Sequence, residues 1–379
     1  MTLSTRDQSK LQRAAAELER WLFDDALPLW WRTGADHAGG GFHDAIDHSG
    51  QPVVSYRRGR VQARQIYVYA AAGQLGWNGP WGEAAEHGLS FLIDSHLRAD
   101  GLIRTLVAPG GASLDETATL YDQAFALLAL AAGRKALPDR ADLEPMARRL
   151  LGELQRSRRH GPGGYVEVGE QPFQANAHMH LLEAALAWSD ISNDSIWITT
   201  ADEVAALALD HFIDPEGGFL REFYDDQWRP RAGDDGRLVE PGHQFEWAWL
   251  MARWGARRRH PRASAIASRL FETGLRGVDA KRGVAVNALW DDLSTRDGAA
   301  RLWPQTEWLK AAVALAPGDE THALAAIQGL RKYFDSPIRG LWRDTLRADG
   351  RFGAEPAPAS SFYHIVCAIS VLREGRIQG

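Results

Sequence analysis

Three histidines stand where their neighbours suit proton transfer. The first segment reads Gln174-Ala-Asn176-Ala-His178-Met-His180-Leu-Leu-Glu183. On a helix Asn176, His180 and Glu183 fall three or four residues apart and share a face, whereas His178 points elsewhere. This spacing fits a polar pocket in which Glu183 fixes the imidazole of His180. It fits equally a core histidine satisfied by a neighbouring carboxylate. A metal reading is weaker, because His178 and His180 diverge on a helix. The second segment is Glu240-Pro-Gly-His243-Gln-Phe-Glu246-Trp-Ala-Trp249. Pro241 and Gly242 mark a helix start, so His243 lies in the first turn with Glu246 one turn on. An imidazole held by a carboxylate is a general acid/base near neutrality, although a Glu near a helix start also serves the helix dipole alone. The third segment, Ser360-Ser361-Phe362-Tyr363-His364, again sets a histidine in the first turn of an apolar helix.

Other helix starts carry binding groups. Arg60 and Arg64 lie one turn apart in an otherwise apolar helix, where a guanidinium is costly unless paired. They either contact substrate oxygens or pair with a buried carboxylate such as Glu307. Tyr121-Asp122-Gln123 and Trp303-Pro304-Gln305-Thr306-Glu307-Trp308 add hydrogen-bonding and stacking groups. Six such segments, each near a helix start, are better explained by one shared pocket than by six independent core accidents.

The elements that position them repeat. A glycine followed by an aromatic or aliphatic residue and a β-like stretch recurs at Gly41, Gly101, Gly164, Gly218, Gly283 and Gly340, about 60 residues apart. Between these signatures, apolar residues at helical spacing predict twelve helices: 8–31, 61–76, 83–97, 118–133, 142–156, 174–189, 199–212, 243–256, 262–274, 303–316, 320–334 and 359–373. Several, such as 118–133, are apolar all round and must be buried. Buried and amphipathic helices alternating six times predict an all-α (α/α)6 barrel with short β-hairpins or turns at one end, in one catalytic domain over 1–379. An open solenoid is the alternative.

Composition limits the partners. With 45% hydrophobic and 24% charged residues and a net charge of −6, the chain has no general attraction for nucleic acid or anionic membranes. Cys367 is the single cysteine, which argues against zinc–thiolate chemistry. The polar start MTLSTRDQSK shows no leader peptide, so a cytoplasmic enzyme is the expectation. Fifteen tryptophans suit either a large core or stacking on pyranose faces.

Five strings, RVQARQ (60–65), NAHMHLLEA (176–184), EPGHQFEWAW (240–249), RLWPQTEWLKAA (301–312) and SSFYHI (360–365), make the chain resemble the N-acylglucosamine 2-epimerase superfamily over nearly its whole length. The SSFYH ending looks more like that group's mannose and sulfoquinovose isomerases than its cellobiose epimerases. The resemblance implies an (α/α)6 barrel and an aldose–ketose isomerase, or alternatively a sugar 2-epimerase, acting without metal or other cofactor. It makes His243 and His364 the acid/base pair, with Glu246 orienting His243 and His180 a third pocket histidine. Arg64, Tyr121, Asn176 and Trp303 match substrate-binding positions and Glu307 a pocket carboxylate. The expected partner is a small monosaccharide, with D-mannose and D-fructose the favoured pair. A C6-anionic sugar would call on Arg57 and Arg58, which are equally readable as a solvated helix start. Oligomeric state stays open between monomer and homodimer. A glycoside hydrolase would instead need two carboxylates across the bond, but here Glu183 and Glu246 each follow a histidine by three residues. A binding protein without catalysis would have no use for three such histidines.

Overall fold

The computed structural model describes residues 9–316 and 318–378. Among these residues, twelve main helices alternate between two layers. The inner ones are α2 (Gly59–Gln74), α4 (Leu120–Ala136), α6 (Ala175–Ser189), α8 (Pro241–Arg258), α10 (Trp303–Leu315) and α12 (Ala359–Gln378). Each packs on the next, and α12 packs back on α2, so the inner ring closes. The outer ones are α1 (Lys10–Arg20, continued by wider turns to Gly34), α3 (Trp81–Phe91), α5 (Leu143–Arg158), α7 (Ser195–Leu207), α9 (Ala263–Arg276) and α11 (Glu320–Arg331). This is the (α/α)6 barrel, closed rather than an open solenoid. No helix of the described residues is long and apolar enough to cross a membrane.

Local chemistry sets the helix starts. Ser9 and Gln12 form a reciprocal capping box on α1. Thr119 accepts from the Asp122 N–H to cap α4. Pro241 and Pro304 occupy first-turn positions of α8 and α10, where the missing N–H is harmless.

The six glycine signatures are left-handed turns. Gly41, Gly101, Gly164, Gly218, Gly283 and Gly340 all have positive φ, between 63° and 95°. Just after each turn lies one buried residue: Phe42, Ile103, Tyr165, Leu220, Ala285 or Trp342. In four repeats an inner-helix glutamine clasps that residue's backbone at both ends. Gln62 accepts from the Phe42 N–H and donates to its carbonyl, and Gln123, Gln244 and Gln305 do the same to Ile103, Leu220 and Ala285. In the third repeat His178 takes the glutamine's place, its Nε2 accepting from the Tyr165 N–H at 2.9 Å. His178 is thus structural, and burial, which lowers its pKa to about 4, keeps it neutral. In the sixth, Phe362 stands there and packs on Trp342, their rings 5.2 Å apart.

Short antiparallel ribbons cover the end of the barrel from which the inner helices start. Ala45–Ile46 pairs with Ala357–Pro358 and joins the first repeat to the last. Arg57–Arg58 pairs with Leu106–Val107, and Ala300–Arg301 with Thr345–Leu346.

Candidate active site

The clasp fixes the register of each inner helix. Two residues further along stand Arg64, Phe125, His180, Glu246, Glu307 and His364. One turn deeper are Tyr67, Leu128, Glu183, Trp249, Lys310 and Cys367. The backbone is nearly sixfold, and only the side chains make the centre asymmetric. All twelve positions except Tyr67 are buried. Placing so many ionisable groups there is unfavourable unless each finds a partner.

His243 lies in the first turn of α8, and its Nδ1 is 2.8 Å from Oε2 of Glu222 and 3.7 Å from Glu240. Burial lowers its pKa, but the two carboxylates outweigh that and raise it to about 9. His364 has the opposite setting. Its Nδ1 is 2.8 Å from Oε1 of Glu307, while burial, then Arg64 and Lys310, hold its pKa well below the ordinary imidazole value. The ring of Trp303 contacts both imidazoles, with centroids 5.0 Å from His243 and 5.7 Å from His364. His180 is 3.4 Å from Glu183 and 3.8 Å from Glu246, and burial lowers its pKa to about 4. Glu183 also accepts from the Tyr363 hydroxyl at 2.5 Å. Burial would raise Glu183, but His180, Lys310 and Tyr363 bring it down to about 2.

Arg64 donates to the Tyr121 hydroxyl at 2.6 Å and lies over Phe125, 4.0 Å from the ring centre. Its Nε has no hydrogen-bond partner, and neither does Oδ1 of Asn176 nor either oxygen of Glu246, which is fully buried. These are open hydrogen-bonding positions in the same neighbourhood as the three histidines. Burial and the nearby Glu307 push Glu246 well above the usual carboxylate range, which favours its neutral acid form.

The sequence therefore brings His180, His243, His364, Arg64, Tyr121, Trp303, Glu183, Glu246 and Glu307 together, with Asn176 in the first turn of α6. Three expectations need correction. Glu246 does not hold His243. His243 leans toward the rim, where Glu222 and Glu240 meet it, while Glu246 lies one turn deeper beside His180 and Lys310. Arg64 does not pair with Glu307, whose two oxygens face His364 and Lys310, and Arg60 reaches Asp122 at 3.3 Å. Arg57 and Arg58 are not a free cationic pair: Arg57 is fully buried on Asp36, and Arg58 is ion-paired with Asp44.

Two groups escaped sequence reasoning. Glu222 had a periodic signal. Counting two residues past the clasped position gives Asp44, Thr105, Glu167, Glu222, Asn287 and Asp344, all polar. All six side chains hold the start of an inner helix, Asp44 by accepting from the backbone N–H and the guanidinium of Arg58. Glu167 accepts from the Leu120 and Tyr121 N–H groups, Asn287 accepts from Arg301, Asp344 accepts from Ser361, Thr105 donates to Asp122, and Glu222 meets His243. Lys310 carried no such signal, because a lysine in an apolar helix reads as a snorkelling surface residue.

Among the described residues, three groups of one imidazole and two carboxylates have ligand atoms within 4.8 Å of one another: His180 with Glu183 and Glu246, His243 with Glu222 and Glu240, and His364 with Glu246 and Glu307. Lys310 already sets an ammonium 2.5 Å from Glu307 and 3.9 Å from Glu246, and Arg301 sets a guanidinium 3.8 Å from Glu240. A cation in any of them would meet that positive charge, so the geometry is that of ion pairs.

Comparison with known proteins agrees with this architecture. The family model described as N-acylglucosamine 2-epimerase (GlcNAc 2-epimerase) matches residues 40–368, and the chain belongs to that family. A protein of Rhizobium meliloti (strain 1021) named mannose-6-phosphate isomerase is 47% identical over 95% of this chain and 97% of its own length. A D-mannose isomerase of Thermobifida fusca is 28% identical, with 89% of each chain covered. The solved cellobiose 2-epimerase of Spirochaeta thermophila superposes with a TM-score of 0.88 at 22% identity, covering 99% of this chain and all of its own, and shares the fold.

Proposed function

We propose that the protein is an aldose–ketose isomerase that interconverts a mannose-type aldohexose and the corresponding fructose-type ketose through a cis-enediol. The observation that carries this reading is the contrast between two histidines that both contact one tryptophan. His243 is held protonated by Glu222 and Glu240, and His364 is held neutral. Environments that drive two titratable groups apart divide the acid from the base.

A carboxylate only accepts, so the Nδ1 of His364 facing Glu307 carries the proton and Nε2 keeps its lone pair. His364 Nε2 takes the proton from C2 of the open-chain sugar as the O1 carbonyl takes a proton from His243. His364, after exchanging this proton with solvent, protonates C1 while the O2 proton passes to His243, which gives the ketose and restores both histidines. Arg64 and Tyr121 stabilise the negative charge that builds on the enediol oxygens. Trp303 offers a stacking face, and His180, Asn176 and the neutral Glu246 bind hydroxyls. Glu183 orients His180.

The relative named mannose-6-phosphate isomerase favours a second reading, in which the sugar carries a C6 phosphate. Arg60 and Arg301 are the partly exposed cations that would serve it; Arg301 lies 5.3 Å from the centre of the Trp303 ring. Chromatography of products from D-mannose and D-mannose 6-phosphate tests both readings. A ketose from either sugar is expected, and which one reacts decides the phosphate. A C2 epimer formed ahead of any ketose would replace the isomerase reading with an epimerase.

A further inference from the structure

We propose that Lys310 is a positioning residue for the proton transfer: its buried ammonium holds Glu307 as a carboxylate and so fixes His364 in the tautomer that leaves Nε2 free. The proposal rests on the isomerase reading for its kinetic consequence and on geometry alone for its tautomer.

Lys310 is one turn beyond Glu307 on α10 and has no exposed surface. A buried ammonium requires close partners. It has the carboxylate Oε2 of Glu307 at 2.5 Å, Glu246 at 3.9 Å, the face of Trp249 at 4.1 Å, and the Cys367 sulfur, to which it donates, at 3.7 Å. Burial would lower its pKa, but Cys367, Glu307, Glu246 and Glu183 raise it and keep it charged.

The two oxygens of Glu307 are thus divided between an ammonium below and an imidazole above. That division matters because Glu307, Glu246 and Glu183 share one dry region. Like charges so placed take up protons, one of them on Glu246, and without the Lys310 cation Glu307 takes up another. A protonated Glu307 can donate to Nδ1 of His364, which moves the imidazole proton to Nε2 and removes the base. The space at this level does not itself call for a charge, since Leu128, Trp249 and Cys367 occupy the equivalent positions on α4, α8 and α12.

Any pH profile of His364 also senses the groups around it. These are Trp303, Glu307 and Lys310 on α10, Arg64 on α2, His180 and Glu183 on α6, and His243 and Glu246 on α8.

The test is 15N NMR of the full-length protein labelled at histidine, with Lys310→Met, Glu307→Gln and the double variant, together with kcat and KM. Wild type is expected to show the Nδ1–H tautomer of His364 at neutral pH. Lys310→Met is expected to shift it toward Nε2–H and to lower kcat about 100-fold with less than about a 3-fold change in KM. In the Glu307→Gln background the same substitution is expected to add little. An unchanged tautomer and kcat in folded Lys310→Met, or full additivity with Glu307→Gln, would overturn the proposal. Should Lys310→Met not fold, Lys310→Met/Glu246→Gln, which removes a cation and an acid together, supplies the tautomer reading. An Nε2–H tautomer in wild type overturns the proposal without any variant. The tautomer needs no sugar, so wild type that moves no sugar proton while its His364 tautomer still follows Lys310 rejects the isomerase reading and leaves the positioning role standing.

Discussion

Nδ1 of His243 stands 2.8 Å from Oε2 of Glu222, a residue 21 positions earlier in the chain. The pairing gives His243 a charge partner at the rim, separate from the carboxylates around His180 and His364. The acid of the proposed reaction is therefore tuned by a loop residue and the base by a helix residue.

Replacing Glu222 by Gln removes the largest charge that raises His243 above 6.5 to about 9 against burial. The alkaline limb of kcat/KM is expected to move toward acid by about 1–2 pH units. The stability this pairing gives has a definite sign. With the folded pKa above the unfolded one, it is fully present below 6.5 and lost as pH rises through about 9. The Tm deficit of Glu222→Gln should accordingly shrink between pH about 6 and about 10, measured by calorimetry. A deficit that grows with pH would contradict the assignment.

Much of the fold was legible because glycines and apolar spacing act locally. All twelve helical stretches were marked by the 3.6-residue period, and six positive-φ glycines supplied the punctuation. The histidines were legible too, since each lies in the first two turns of an inner helix beside polar neighbours, His243 in the first and His180 and His364 in the second. The partners were not. Helix spacing puts Glu246 near His243, yet the nearest carboxylate comes from the loop before α8. Sequence proximity ranks contacts within a helix, and a barrel centre is assembled between helices.

Arg64→Lys keeps the positive charge but loses the planar fork that meets the Tyr121 hydroxyl. Stabilisation of the enediol oxygen should fall, lowering kcat about 100-fold. Steady-state kinetics beside Tyr121→Phe would check it. Because the two groups hydrogen-bond, the double variant should be less impaired than the product of the single losses.

Gln305→Leu tests the clasp apart from the chemistry. It leaves the buried N–H and carbonyl of Ala285 without partners, which costs about 2–4 kcal/mol. Urea unfolding should show that loss. If the folded variant keeps the wild-type KM, the clasp only holds the loop.

In the proposed reaction His364, buried and bonded to Glu307, is the base, so His364→Ala should lower kcat by about 10²–10⁴ while substrate still binds, read by calorimetric titration. Equal loss of binding and turnover would assign His364 to substrate recognition instead.

The most direct measurement tracks deuterium. The protein is incubated in D2O with D-mannose and, separately, D-mannose 6-phosphate, and C1 and C2 are observed by NMR. The expected result is a ketose carrying deuterium at C1 from at least one sugar, abolished in His364→Ala. A ketose formed with no solvent deuterium and at an undiminished rate in His364→Ala, or no exchange with either sugar, would contradict proton transfer through His364.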